Sequence, residues 1–182
     1  MEPSDERLLA AYRDGDLAAF EALFRRYQGP LYRHLARMLD DRAAAEDVVI
    51  ETFQRLHVHR DELRAGALVR PWIYTIARNL ARNRRRHGRL VGWLSLAAVE
   101  LEHEPRVPGP DGSRDEVERR VAAALDALPA PQREACSLRL LAELSLEEIA
   151  SVTGASVGTV KSRLFYGQRR LRELLGDLRP GG

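Results

Sequence analysis

One cysteine, Cys136, stands in a chain of 182 residues. It excludes an internal disulfide framework and any zinc site built on clustered thiolates. Long apolar runs are also missing. The longest weakly apolar stretch, Leu90 to Val99, is about half of the roughly 20 residues that a bilayer span needs, and Gly92 and Ser95 interrupt it. No transmembrane helix is expected. The N-terminus, Met-Glu-Pro-Ser-Asp-Glu, is acidic where a secretory leader is basic and then apolar, so the chain reads as soluble and cytoplasmic. There is no glycine-rich phosphate loop and no nucleophile–base constellation, and His57 and His59 lack two further ligands nearby. No catalytic residue, metal or cofactor can be assigned, and an enzyme is not expected.

What is present is charge in a particular order. Charged residues make up 31% and apolar residues 45%, enough to bury a core under a polar surface and too apolar for a disordered chain. Of the 29 basic residues, Lys161 is the lone lysine; the rest are arginine. Six arginines and no acid lie between Arg78 and Arg89, seven acids lie between Glu100 and Glu118, and six basic residues lie between Lys161 and Arg179. The order basic, acidic, basic suits two anion-facing parts joined by an acidic connector. Arginine fits phosphate because its planar fork donates paired hydrogen bonds. A compositional bias toward arginine would also raise its share, but not its clustering.

Apolar spacing is helical almost throughout, so the fold class is all-α. Ser4 caps a first helix with Leu8, Leu9 and Tyr12 inward. Asp16 caps a second with Leu17, Phe20, Phe24 and Tyr27, which Gly29-Pro30 is expected to end. A third follows on Leu31, Leu35 and Leu39. Asp40-Asp41 opens a fourth, to about His57, that turns Ala45, Val48, Val49, Thr52, Phe53 and Leu56 inward and Asp47, Ile50, Glu51 and Gln54 outward. A loop from His59 leads to Pro71, well placed at the start of a helix to about His87. Pro105, Pro108, Gly109, Pro110 and Gly112 mark a linker. Two small helical domains are therefore expected, 1–88 and 114–179, with a Pro/Gly-containing acidic linker at 89–113.

Three constellations carry chemistry. Ser145-Leu146-Glu147-Glu148 has the form of a capping box, Gly154 suits a left-handed turn, and Ser156 can cap a longer basic helix. That is the helix-turn-helix pattern, whose second helix enters the major groove. Val160, Leu164, Gly167, Leu171 and Leu174 share its inner stripe. Gly158, Lys161, Ser162, Phe165, Arg169 and Arg172 face out, where Lys161 and Ser162 can bond base edges and Phe165 can touch a thymine methyl or a sugar. An ordinary antiparallel helix pair with a solvated face is the bland alternative. The second constellation, Pro71-Trp72-Ile73-Tyr74 followed by Arg78, Asn79, Arg82, Arg84, Arg85 and Arg86, interleaves aromatics with arginines, as suits unstacked bases on a held backbone. Tyr74, Arg78, Arg82 and Arg85 are expected on one face apart from the apolar stripe. Trp72 and Tyr74 could equally be core or rim. The third is the outward set Asp47, Ile50, Glu51 and Gln54, an isoleucine among acids that suits a protein-docking face.

Together these residues resemble the extracytoplasmic-function class of bacterial RNA polymerase sigma factors, over nearly the whole chain. The resemblance is carried by Ala45 to Phe53, by Pro71 to Asn79, and by Glu148-Ile149-Ala150 through Gly158 to Leu164. It implies a promoter-specificity subunit that recognises minus-thirty-five and minus-ten elements and aids promoter melting. Asp47, Ile50, Glu51 and Gln54 would dock on the coiled coil of the polymerase's largest subunit. Arg70, Trp72, Tyr74, Arg78, Asn79, Arg82, Arg85 and Arg86 would serve the minus-ten element. Ser156, Gly158, Thr159, Lys161, Ser162, Arg163, Phe165 and Arg169 would serve the minus-thirty-five element. The implied partners are core polymerase, promoter DNA and, in some members of the class, an anti-sigma factor; the free chain is expected to be a monomer. A stand-alone helix-turn-helix regulator and a sigma-like decoy that binds an anti-sigma factor are the competing readings. The sequence departs from the family at Ile50, where glutamine is usual, at His57 and Asn83, and at Tyr166-Gly167-Gln168, which replaces an Arg-Ala-Arg-like run.

Overall fold

A computed structural model describes residues 2–39, 41–62, 68–94 and 112–176, and for 87–94 and 112–115 the backbone alone. Among the described residues the fold is all-α: α1 (Asp5–Arg13), α2 (Leu17–Met38), α3 (Arg42–His59), α4 (Val69–Leu94), α5 (Gly112–Asp126), α6 (Ala130–Leu140), α7 (Leu146–Thr153) and α8 (Val157–Leu174). The acidic stretch 100–111 and the loop residues 63–67 lie outside the described residues, as does the Ser95–Val99 half of the Leu90–Val99 segment.

The helix starts follow from side chains that satisfy orphan amides. Ser4 Oγ accepts from Arg7 N at 3.3 Å, Asp16 Oδ1 from Ala18 N at 2.9 Å, and Asp41 Oδ1 from Ala43 N at 3.0 Å. Two expected boundaries are corrected. α2 runs unbroken through Gly29-Pro30, because Leu23, Tyr27, Leu31 and Leu35 form one buried stripe at four-residue spacing. Burial of that stripe outweighs the roughly 3 kcal/mol that an interior proline costs. α4 likewise continues past His87 to Leu94; Gly88 lowers helix propensity by only about 1 kcal/mol, and no proline follows until Pro105.

Helices α1–α4 enclose one apolar layer. Tyr12, Phe20, Phe24 and Phe53 form an aromatic cluster with ring centroids 4.8–6.0 Å apart. Asp5 is buried beside it, accepting from the Tyr27 hydroxyl and the Arg26 guanidinium. Helices α5–α8 enclose a second layer around Leu125, Leu138, Ile149, Val160 and Leu164. The two groups are packed on one another, α7 on α4 and α6 on α2, so that the buried residues form one continuous cluster. Polar bonds cross this contact. His34 Nδ1 lies 2.8 Å from Ser137 Oγ, Arg37 pairs with Asp126 at 2.8 Å, and Arg78 pairs with Glu134 at 2.6 Å.

Candidate nucleic-acid interface

The C-terminal face is built locally. Ser145 Oγ accepts from Glu148 N at 3.1 Å while Ser145 N donates to Glu148 Oε2 at 2.7 Å, the reciprocal capping box. Gly154 closes α7 at φ +68°, a backbone conformation that disfavours other residues. Ser156 Oγ accepts from Thr159 N at 3.1 Å and starts α8. Val160, Leu164, Gly167 and Leu171 are buried against α6, whereas Leu174, expected inward, sits at the exposed end of the helix. Ser156, Gly158, Thr159, Lys161, Ser162 and Arg169 are exposed, and Arg163 is half-buried. Phe165 keeps 63% of its surface exposed, a large apolar area left uncovered at the centre of the outer face.

Beside it, Tyr166 is 57% exposed and meets the Phe165 ring edge to face at 5.3 Å. The sequence marks Tyr166 only as a departure from the family pattern. Its place next to the outward Phe165 is the signal that would have added it to this face. Gly167 has a clear reason: a Cβ there would stand 2.5 Å from Cys136 Sγ on α6. Burial pushes the Cys136 thiol up to about 11, so it stays protonated and acts as a packing group.

The second face, on α4, differs from expectation. Tyr74 is fully buried, its ring edge against Tyr27 at 6.4 Å and against His34 at 5.7 Å. It therefore belongs to the apolar side with Ile73, Ala77 and Leu80, and not to the outward arginine face. Burial raises its hydroxyl pKa, and that oxygen has no hydrogen-bond partner. Arg78 is held by Glu134 through Nε (2.6 Å) and Nη2 (3.4 Å), with the two side chains only 13% and 15% exposed. Trp72 is half-buried on the core, and Arg70 Nε donates to the Tyr27 hydroxyl at 3.4 Å. That hydrogen bond raises the Arg70 pKa further, so the guanidinium is always charged. Asn79, Arg82, Arg85 and Arg86 are exposed. The structure thus keeps Arg82, Arg85, Arg86 and Asn79 outward, buries Tyr74 against α2, and draws Arg78 into the contact with the second helical group. Glu134, Ser137 and His34, which complete that contact, have no sequence signal.

On α3, Asp47, Ile50 and Gln54 are exposed and Glu51 is half-buried, with Ile50 at 54%. Arg84 reaches across from α4 to Asp47 at 3.0 Å, to Glu51 at 4.0 Å, and to the Ala44 carbonyl at 3.3 Å. The acids are thereby oriented around an uncovered isoleucine. At another edge of the same bundle His57 Nδ1 bonds the Tyr12 hydroxyl, a local polar contact.

Comparison with known proteins agrees with this geometry. The sigma-70 region 2 family model matches residues 23–90, and the sigma-70 region 4 model matches residues 118–171. The chain is 38% identical to the RNA polymerase sigma factor CarQ of Myxococcus xanthus over 167 residues, covering 92% of this chain and 95% of that protein. It is 33% identical to the ECF RNA polymerase sigma factor SigL of Mycobacterium tuberculosis, covering 90% of this chain and 92% of that one. Among solved structures, the sigma factor RpoE of Bartonella quintana, in complex with the anti-sigma factor NepR, superposes with a TM-score of 0.72 at 29% identity, over 88% of this chain and 98% of that one. CnrH, solved with the cytosolic domain of CnrY, gives 0.71 at 25% identity over 97% and 100%. With both region models in order along one chain and relatives spanning its length, this chain belongs to the extracytoplasmic-function class of RNA polymerase sigma factors.

Proposed function

We propose that this chain directs core RNA polymerase to promoters by reading a minus-thirty-five element with α8 and a minus-ten element with α4, and that it has no catalytic activity of its own. It works in the cytoplasm, where polymerase and DNA are. The observation that carries the reading is the outer face of α8: a helix capped at its start by Ser156, buried on one stripe, and presenting Lys161, Ser162 and Phe165 without a covering element among the described residues. Lys161 donates to base edges, Ser162, whose hydroxyl donates to the Gly158 carbonyl at 3.2 Å, accepts from them, and Phe165 takes a thymine methyl or sugar. Arg169 and the uncapped amides between Ser156 and Thr159 at the start of α8 hold phosphates. Asp47, Ile50, Glu51 and Gln54 dock on the polymerase, with Ile50 as the apolar centre. Helices α1–α4 form the first module and α5–α8 the second, joined by the acidic connector.

The minus-ten set follows a different logic. Arg82, Arg85, Arg86 and Asn79 are available to a strand, while Arg78 becomes so only when its pair with Glu134 is broken. Strand opening also needs more than this chain supplies. Separating about ten base-pair steps at roughly 1.4 kcal/mol each costs on the order of 14 kcal/mol, and a few stacked bases return about 1–3 kcal/mol each. Melting therefore depends on the polymerase as a partner. Two measurements test the proposal together: sequencing of transcripts initiated by purified core polymerase plus this protein, and permanganate footprinting with and without core. Defined start sites with reactive thymines only when core is present are expected. Random initiation, or thymine reactivity with the isolated protein, refutes it.

A further inference from the structure

Between the two helical groups lies a cleft of about 290 Å³ whose charge is unbalanced. Six arginines line it: Arg37 from α2, Arg78, Arg82 and Arg85 from one stripe of α4, Arg133 from α6 and Arg163 from α8. Its one lining carboxylate, Glu134, is already engaged by Arg78. Asp126 reaches Arg37 from outside the lining. Arg133 donates through its terminal nitrogens to the carbonyls of Leu128 and Arg37, at 3.1 Å and 3.5 Å, and its Nε is buried with no partner. Arg82, Arg85 and Arg163 make no hydrogen bond or ion pair among the described residues.

Guanidinium groups converge here from four helices, where protein walls strengthen both their mutual repulsion and their attraction for an anion. Their forks suit phosphate oxygens, which they can grip in pairs. A single phosphate presents too few oxygens for forks on four helices, whereas a short chain of phosphates can meet several at once. The volume sets the upper limit. It lies just below the roughly 300–1,000 Å³ usual for ligand pockets, enough for an oligophosphate, whereas a phosphate backbone would have to leave its bases outside the cleft.

We propose that this cleft is a binding site for a small free oligophosphate, which bridges the two helical groups and holds them together. Binding itself depends only on the cleft. A consequence rests on the proposed function: because Arg78, Arg82 and Arg85 belong to the minus-ten set and Arg163 to the minus-thirty-five set, the bound anion withdraws both from promoter DNA.

The test uses the full chain, without DNA, polymerase or divalent cations, and titrates sodium tripolyphosphate at constant ionic strength by calorimetry and by thermal melting. Saturable binding with one-to-one stoichiometry is expected, with a melting temperature that climbs as ligand is added. Orthophosphate should bind at least about tenfold more weakly, given the fewer charge-assisted contacts it can make. The variant R82Q/R163Q should lose on the order of tenfold or more in affinity, and R163K should retain part of it. R25Q, about 18 Å from Arg37 along α2, should bind as the parent does. Absence of saturation, or an equal loss in R25Q, overturns the site. Equal affinity for 5′-phosphorylated trithymidylate, with the same dependence on Arg82 and Arg163, overturns the oligophosphate and assigns the cleft to nucleic acid. Since no promoter or polymerase enters the measurement, failure here leaves the transcription result intact, and failure there leaves this one intact.

Discussion

Lowering the pH should loosen this protein through one residue. His34 is fully buried between the helical groups, its Nδ1 on Ser137 Oγ and its Nε2 without a partner. Burial chiefly, and then the nearby positive charge of Arg78, lower its pKa from the ordinary 6.5 to about 4. The groups that face it are the Tyr74 ring and Arg78 on α4 and Ser137 on α6, none of which supplies a negative charge. The imidazole is therefore neutral in the fold. The unfolded chain takes up the proton first, so the contribution is fully present above pH 6.5 and is lost as pH falls toward 4. At about 1.36 kcal/mol per unit, the loss is about 2 kcal/mol at pH 5 and about 3 kcal/mol near pH 4. Urea unfolding of the parent and of His34→Asn at pH 7.5, 5 and 4 measures it. Carboxylates titrate in both proteins, so the difference between the two pH profiles isolates His34. The variant should lack about 2 kcal/mol of the parent's acid loss between pH 7.5 and 5. Parallel profiles refute the reasoning.

Gly167→Ala gains about 1 kcal/mol of helix propensity but drives a methyl group into Cys136 Sγ, an overpacking that costs about 1–3 kcal/mol. It should destabilise the parent, yet stabilise a Cys136→Ala background, and equal effects in both, measured by urea unfolding, would contradict the contact. Ile50→Asp should weaken binding to core polymerase by at least about tenfold in fluorescence anisotropy, from the lost burial of one isoleucine, with helix content unchanged; undiminished binding would remove α3 from the interface. Lys161→Ala and Phe165→Ala should each cost about 1–3 kcal/mol in recognition of the upstream element, read by run-off transcription from matched and scrambled elements. Equal output from parent and variants would take α8 out of the recognition role.

The parts of this molecule that could be read from sequence are those settled within a few residues. The capping box joins Ser145 to Glu148, Ser156 caps three residues ahead, and Gly154 needs only its own backbone freedom, so the helix-turn-helix and its outer face emerge from spacing alone. Pro30 misleads because its local meaning is to break a helix, whereas the stripe from Leu23 to Leu35 that keeps α2 whole is paid back only by burial against other helices. Tyr74 misleads for a related reason. An aromatic ring among arginines fits an outward stacking face and an inward packing face equally, and what decides between them is Tyr27 and His34, 47 and 40 positions away.

The same distinction separates the two candidate DNA faces in function. α8 owes its exposed surface to its own caps and stripe and to α6 beneath it, so Lys161, Ser162 and Phe165 are presented whatever α4 does, and of the candidate α8 residues Arg163 is the one that lines the cleft shared with α4. α4 shares its arginines with α6 through a pair 56 positions apart, and with α8 through the cleft. Availability of the α4 face is therefore a property of how the two helical groups sit together, and a perturbation of the contact, whether protonation of His34 or loss of Glu134, should act on the proposed strand capture before it acts on the proposed upstream recognition. That ordering can be measured. Glu134→Gln leaves the outer face of α8 as it is and removes the negative charge that holds Arg78, leaving at most one neutral hydrogen bond, so it should raise affinity for a single-stranded minus-ten oligonucleotide while leaving affinity for the upstream duplex unchanged. A shift in both by the same factor would mean that the two faces are not separable in this way.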